Sequence, residues 1–257
     1  MDRDQFYGRL RWTDRGLLYP IDDYLCAIMQ RGPNDYLATA LGVLQDLASG
    51  GHSELLPGAL RAALGFDASR LEMAGGTIPS HLDASQARCF AAAVNEANAL
   101  VLIQGPPGTG KTRVLEHVVR ELCERGRRIL ITAPSNTAVD TICRRLSGLP
   151  LLRTGYSRSA VASDVADASW YGDEAVQLEV RRRGQASGSL VIAGTHTGIL
   201  RSESVRIDQD KRGAFDVIIF DESGMARAGE MLLCMGLANR VICFCDPVQL
   251  PPLPLED

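Results

Sequence analysis

Residues 105–112 read GPPGTGKT, a full match to the spacing GxxxxGK[ST]. Such a stretch is built to hold phosphate. Its glycines let successive backbone N–H groups converge on phosphate oxygens, and the helix start that follows adds unpaired donors and a partial positive charge. This reading gives the cradle to Gly105, Pro106, Pro107, Gly108, Thr109 and Gly110, the β- and γ-phosphates to Lys111, and a Mg2+ ion to the Thr112 hydroxyl. Lys111 carries extra weight in this chain. The only other lysine is Lys211, so 25 of the 27 basic residues are arginine. Against that background a compact, flexible point charge is informative.

A phosphate loop also needs an acid for the metal and a group to activate water. The segment FDVIIFDES, residues 215–223, supplies Asp221 and Glu222 at the end of an apolar strand. Alone, an acidic pair after a strand is an ordinary solvated turn. Behind a complete phosphate loop, Asp221 is expected to orient Mg2+ through water and Glu222 to polarise the attacking water. A nucleoside triphosphate with Mg2+ is therefore the expected ligand.

These residues need a scaffold. From His81 onward, strands alternate with amphipathic helices: a helix over Ser85–Ala97, a strand over Ala99–Ile103, and a helix over Lys111–Arg125 that Gly126 stops. A strand over Arg128–Ala133, a helix over Thr137–Leu146 and short apolar strands at Leu190–Ala193, Phe215–Phe220 and Val241–Cys245 complete the pattern. Nearly continuous apolar strands between helices predict an α/β fold, a parallel sheet with helices on both faces. Ser157–Ser189 is polar and Arg-rich and reads as a surface insertion with one helix. Its Arg181, Arg182 and Arg183 form either a solvated face or a nucleic-acid contact. Upstream, the leucine spacing over Asn34–Leu64 predicts two helices broken at Ser49–Ser53, and Gly75, Gly76 and Pro79 read as a linker. The division expected is a small helical segment over 1–80 and the main domain over 81–257.

Composition narrows the class. The 257 residues are 46% hydrophobic and 23% charged, which excludes a disordered chain, a collagen and a disulfide scaffold. The longest apolar runs, such as Cys89–Val94, fall far short of the ~20 residues that span a membrane. The first ten residues carry no apolar signal core. Seven cysteines without CxxC spacing, most in apolar stretches, suggest reduced thiols and an intracellular, cytoplasmic or nuclear, location. A net charge of −4 is no nucleic-acid footprint for the whole chain, so any polyanion must meet a local surface.

Six segments in order resemble the first RecA-like motor domain of superfamily-1B helicases, of the nonsense-mediated-decay and replication helicase-nuclease type. LDASQ, ending at Gln86, is similar to the adenine-reading Q motif, and residues 105–112 are motif I. ITAPSNTAVD, from Ile131, looks like motif Ia, whose counterparts of Pro134, Ser135 and Asn136 touch the nucleic-acid backbone. VIAGTHTG looks like motif Ic, with Thr195 as a further backbone contact. Asp221 and Glu222 open motif II, and DPVQLPP, from Asp246, is similar to motif III, whose Gln249 counterpart senses the γ-phosphate. Read without the family, Gln86 is a surface glutamine, and Ser135 or Asn136 is a helix cap. The resemblance implies a RecA-like phosphate-loop NTPase fold, ATP hydrolysis, and single-stranded DNA or RNA as partner.

Three departures qualify that picture. Met225 stands where the family has glutamine, and a thioether cannot hold a lytic water as an amide does. Cys245 replaces the glycine that opens motif III. The second RecA-like domain, expected after motif III, does not appear before Asp257. Supplied neither in cis nor in trans, its absence would cost the arginines that can be worth ~10³–10⁵ in turnover. The expected behaviour is nucleotide binding with poor hydrolysis. The rivals are a helicase-derived nucleotide switch or scaffold, and a small-molecule kinase, for which the sequence offers no acceptor pocket.

Overall fold

Residues 58–63, 71–73, 77–155, 158–169, 174–202, 205, 215–226 and 228–246 are described by the computed structural model. Their sheet has six strands: β1 Leu100–Gln104, β2 Arg128–Ala133, β3 Leu151–Arg153, β4 Leu190–Thr195, β5 Phe215–Phe220 and β6 Ala238–Cys245. The order across the sheet is β1-β6-β5-β2-β4-β3. Every neighbouring pair is parallel. The helices are α1 Gly58–Ala63, α2 Ala84–Val94, α3 Lys111–Glu124, α4 Asn136–Arg145, α5 Ser163–Ser169, α6 Glu174–Ser187, α7 His196–Arg201 and α8 Ala228–Met235.

The chain steps outward from β1 through β2 to β3, then returns through β4 and β5 to β6. Right-handed crossovers place α3 and α4 on one face and α7 and α8 on the other. The core follows that rule. Val114, Val118 and Leu122 of α3 and Val139 and Ile142 of α4 pack on Ile103, Ile131, Val217 and Ile219. Ile199 of α7 and Leu233 and Met235 of α8 pack on Leu130, Ile192, Ile218 and Phe220. Alternate residues of one strand thus feed both cores, which is why these strands read as continuous apolar runs. The fold is the expected α/β architecture.

Local signals explain the helix ends. Asp83 caps α2, accepting from the Ser85 and Gln86 amides while Gln86 accepts from the Asp83 amide. Gly126, at φ 74°, ends α3, its N–H bonded to the Cys123 carbonyl. Ser135 caps α4 through the Ala138 amide.

Two expectations need correction. Ser157–Ser189 is not a surface insertion with one helix. Its described residues form a short 3-10 turn, α5 and α6, and Val161, Val165 and Ala166 are buried in the first core. Three small apolar residues spread among polar ones left the sequence no visible period. The strand β3 was not anticipated at all, because three residues cannot display alternation and one of them is arginine. Arg153 is buried on that strand and bonds the Asp140 carboxylate at 2.8 Å, the Asn136 amide oxygen at 2.9 Å and the Thr154 carbonyl. The other Asp140 oxygen accepts the Ala162 amide at 2.9 Å. A buried ion pair is tolerable when its remaining valences are filled in this way.

Most of the expected helical segment over 1–80, including its first helix, lies outside the described residues. Of the described part, α1 places Leu60 in the second core at 1% exposure. Asn98 holds Glu72 by two bonds, of 2.9 and 2.7 Å. Among the described residues, no helix is long and apolar enough to cross a membrane.

Candidate nucleotide site

The phosphate-loop segment lies between the C-terminal end of β1 and the start of α3, as its spacing demands. Gly108 and Gly110 adopt φ of 80° and 83°, a left-handed backbone that glycine takes without strain. Thr109 tightens the loop by donating its hydroxyl to the Pro106 carbonyl at 2.8 Å. The loop is tied to the sheet where the Gly105 amide meets the Cys245 carbonyl at 3.1 Å. Gly110 caps α3 with no side-chain acceptor, so the first-turn N–H groups are left for a ligand. The Lys111 ammonium rests on the carbonyls of Gly105 and Pro106, the latter at 3.0 Å, inside the curve of the loop. Thr112 follows on the first turn of α3.

Gln86 touches this loop directly. Its amide nitrogen donates to the Thr109 carbonyl at 3.1 Å, and its oxygen accepts from the Asp83 amide at 3.2 Å. A Cβ on Gly110 would come within 2.5 Å of that nitrogen. The side chain read as an adenine contact is therefore also a brace between α2 and the loop.

Asp221, 7% exposed as a residue, leaves β5 buried. Burial chiefly, and the neighbouring Glu222 charge secondarily, push its pKa up to about 6, against bonding to the Glu222 amide and the pull of Lys111. A buried carboxylate under the influence of a lysine across the sheet edge is an under-compensated charge, suited to a hard divalent cation. Glu222 has φ 53°, the single positive φ among the described non-glycine residues. Such strain costs about 1–3 kcal/mol and persists where the surroundings impose it. Here the imposed turn is a 3-10 turn over Ser223–Met225, anchored by the Ser223 hydroxyl on the Phe244 carbonyl at 3.2 Å. Met225 follows at 36% exposure. The Cys245 thiol points back to the Ile103 carbonyl at 3.7 Å, so this departure occupies the junction of β6 with β1. Gln249 lies outside the described residues.

The remaining candidates lie further along the same sheet edge. Ala133 and Thr195, ending β2 and β4, are register partners, which brings Pro134, Ser135 and Asn136 beside Thr195. Ser135 is exposed, and its hydroxyl accepts the Ala138 amide at 3.2 Å. Thr195 caps α7 through the Gly198 amide at 3.1 Å. Asn136 is committed to Arg153, a structural role that its position in the sequence did not signal. Arg181, Arg182 and Arg183 lie on α6. Sequence reasoning also missed His196, whose buried ring bonds Thr132 at 2.8 Å; a lone histidine after a strand carries no signal of burial.

The order β1-β6-β5-β2-β4 thus sets a phosphate-loop half beside a second polar half on one edge, the C-terminal edge where open parallel sheets bind ligands. The class is an α/β domain with a parallel sheet and a phosphate-loop motif. Comparison with known proteins refines it. Residues 81–186 match the family described as AAA domain. The chain is 48% identical over 79 residues to the DNA polymerase alpha-associated DNA helicase A of Schizosaccharomyces pombe, covering 29% of this chain and 12% of that protein. It is 28% identical over 172 residues to the DNA replication ATP-dependent helicase/nuclease DNA2 of Saccharomyces cerevisiae, covering 64% and 10%. It is 37% identical over 111 residues to a regulator of nonsense transcripts 1 homolog of Neurospora crassa, covering 42% and 10%. The chain is similar to these helicases over part of its length, and its matches span about a tenth of the length of each of them.

Proposed function

We propose that this chain is the ATP-binding first motor domain of a superfamily-1B helicase, coupling Mg-ATP binding and hydrolysis to movement along single-stranded DNA or RNA once a second RecA-like domain completes the site. The observation that carries this reading is the meeting of the glycine loop, Lys111 and the buried Asp221 on one sheet edge, continuous with the ends of β2 and β4. The residue division follows the same reading, with 1–80 as a stalk and 81–257 as the motor domain.

Each residue has a part that suits its place. Gly105, Pro106, Pro107, Gly108, Thr109 and Gly110 cradle the phosphates through backbone N–H groups, and Lys111 exchanges loop carbonyls for phosphate oxygens. Gln86 reads adenine. Thr112 and Asp221 hold Mg2+, which supplies positive charge to the phosphate oxygens when bound. Glu222, set at the end of β5 by its strained turn, accepts a proton from water. Gln249 senses the γ-phosphate. Pro134, Ser135, Asn136 and Thr195 meet nucleic-acid backbone, contacts that should be sequence-tolerant and weaken with salt.

Calorimetric titration with a non-hydrolysable ATP analogue, with and without Mg2+, tests the core of this proposal. Mg2+-dependent binding that Lys111→Ala abolishes supports it. A folded wild-type chain that binds no nucleotide refutes it for this chain alone. A second reading, a nucleotide-dependent switch with degenerate hydrolysis, is favoured by Met225 at the place of the family's glutamine. Met225→Gln, in a chain joined to a complete second motor domain, separates the two. Nucleic-acid-stimulated ATPase already present with Met225 counts against the switch, and stimulation that appears only in the Met225→Gln chain supports it.

A further inference from the structure

His196 is a buried polar residue that the proposed chemistry leaves unused. It opens α7, directly after Thr195, and is 3% exposed. Its Nδ1 pairs with the Thr132 hydroxyl at 2.8 Å, and its ring lies 5.7 Å from that of Phe220, centroid to centroid. Its carbonyl accepts the Cys234 thiol of α8. Thr132 is itself fully buried, and its carbonyl accepts the Asp221 amide at 2.9 Å. One short path therefore runs from the metal acid Asp221 through Thr132 to His196, and so to Thr195. Thr132 also lies two residues before Pro134, on the strand that carries the other candidate backbone contacts.

Packing alone does not account for a histidine here. Nε2 is buried and has no hydrogen-bond partner among the described residues, a deficit that an apolar ring of similar size would avoid. Burial also holds the imidazole pKa below its ordinary value, so the ring bonds Thr132 as a neutral group. What the histidine adds over phenylalanine is the directional link to β2.

We propose that His196 is a positioning residue that couples the nucleotide site to the nucleic-acid edge, by holding α7 and Thr195 in register with Thr132 and the end of β5. The inference rests on the proposed function, since it presumes that both ligands bind. Coupling means that occupancy of one site changes affinity at the other by the same factor in either direction.

The test measures that factor in the full chain. Binding of labelled oligo-dT and oligo-U is titrated with and without a saturating non-hydrolysable Mg-ATP analogue, in wild type, Thr132→Val, His196→Phe and Thr132→Ser. Wild type should show a coupling factor of about 5 or more, the lower end of typical allosteric coupling. Thr132→Val and His196→Phe should bring the factor to within about twofold of unity, with the unliganded affinity for each ligand kept within a few-fold. Thr132→Ser, which retains the hydroxyl, should keep it. Circular dichroism verifies folding, and Thr132→Val decides alone should His196→Phe not fold. Coupling that survives Thr132→Val, or a wild type that binds both ligands without coupling, overturns the inference while leaving the proposed function standing. A wild type that binds neither ligand overturns both.

Discussion

Replacing Asp221 by asparagine should stabilise this protein while disabling its metal site. Asp221 is buried, and its pKa is raised from an ordinary 3.8 to about 6. Ionising it in place therefore costs the fold roughly 3 kcal/mol, at about 1.4 kcal/mol per pH unit. Asparagine has nearly the same shape and no charge to desolvate. The sign follows from linkage. A carboxyl whose folded pKa exceeds its unfolded value favours folding below about pH 4, and that advantage is lost as pH rises through about 6. Above pH 6 the full penalty falls on wild type, so the gain from Asp221→Asn should be greatest there and fade toward pH 4. For a domain of this size, ~3 kcal/mol corresponds to a rise in Tm of about 6–12 °C, an upper value if the site relaxes. Differential scanning calorimetry at pH 7.5, 6 and 5, without Mg2+, reads it directly. The same variant should lose the Mg2+ dependence of nucleotide binding. An unchanged Tm at pH 7.5, or a gain that stays constant down to pH 5, would refute the idea that Asp221 is a desolvated, under-compensated acid.

Gln86→Ala distinguishes base reading from bracing. Since the amide holds the Thr109 carbonyl at 3.1 Å, the variant should weaken inorganic tripolyphosphate as well as the ATP analogue, by a few-fold to tenfold, in competition calorimetry. Unchanged tripolyphosphate affinity would leave adenine as its sole concern. Asp140→Ala removes the acid from a pair whose arginine is buried, and should cost about 3–5 kcal/mol in urea unfolding, far more than an exposed pair. By contrast, Asp164→Ala, which breaks the exposed pair with Arg144, should leave the urea midpoint nearly unchanged. Equal losses for the two would show that burial is not the deciding factor.

The parts of this molecule that repeat or sit next to one another were legible in the sequence. Apolar runs gave β1, β2, β4, β5 and β6, and the spacing of Val114, Leu115, Val118, Val119 and Leu122 gave α3, because period and length are local properties. The phosphate loop was legible for the same reason: its glycines, lysine and threonine act as one continuous stretch of backbone. What the tertiary structure alone decided depends on partners far apart in the chain. Arg153 looks like a surface arginine until Asp140 and Asn136 are brought against it. Gln86 looks like a helix-start glutamine until Thr109, 23 residues on, lies beside it. Asp221 could be named as an acid from its place after β5, but its raised pKa follows from burial, which the packed neighbours of β5 create. The strand order that sets β6 between β1 and β5 has the same origin. Local sequence sets which elements form; which ones become neighbours is fixed by the cores they share, and that fixes the charge and reach of every candidate group.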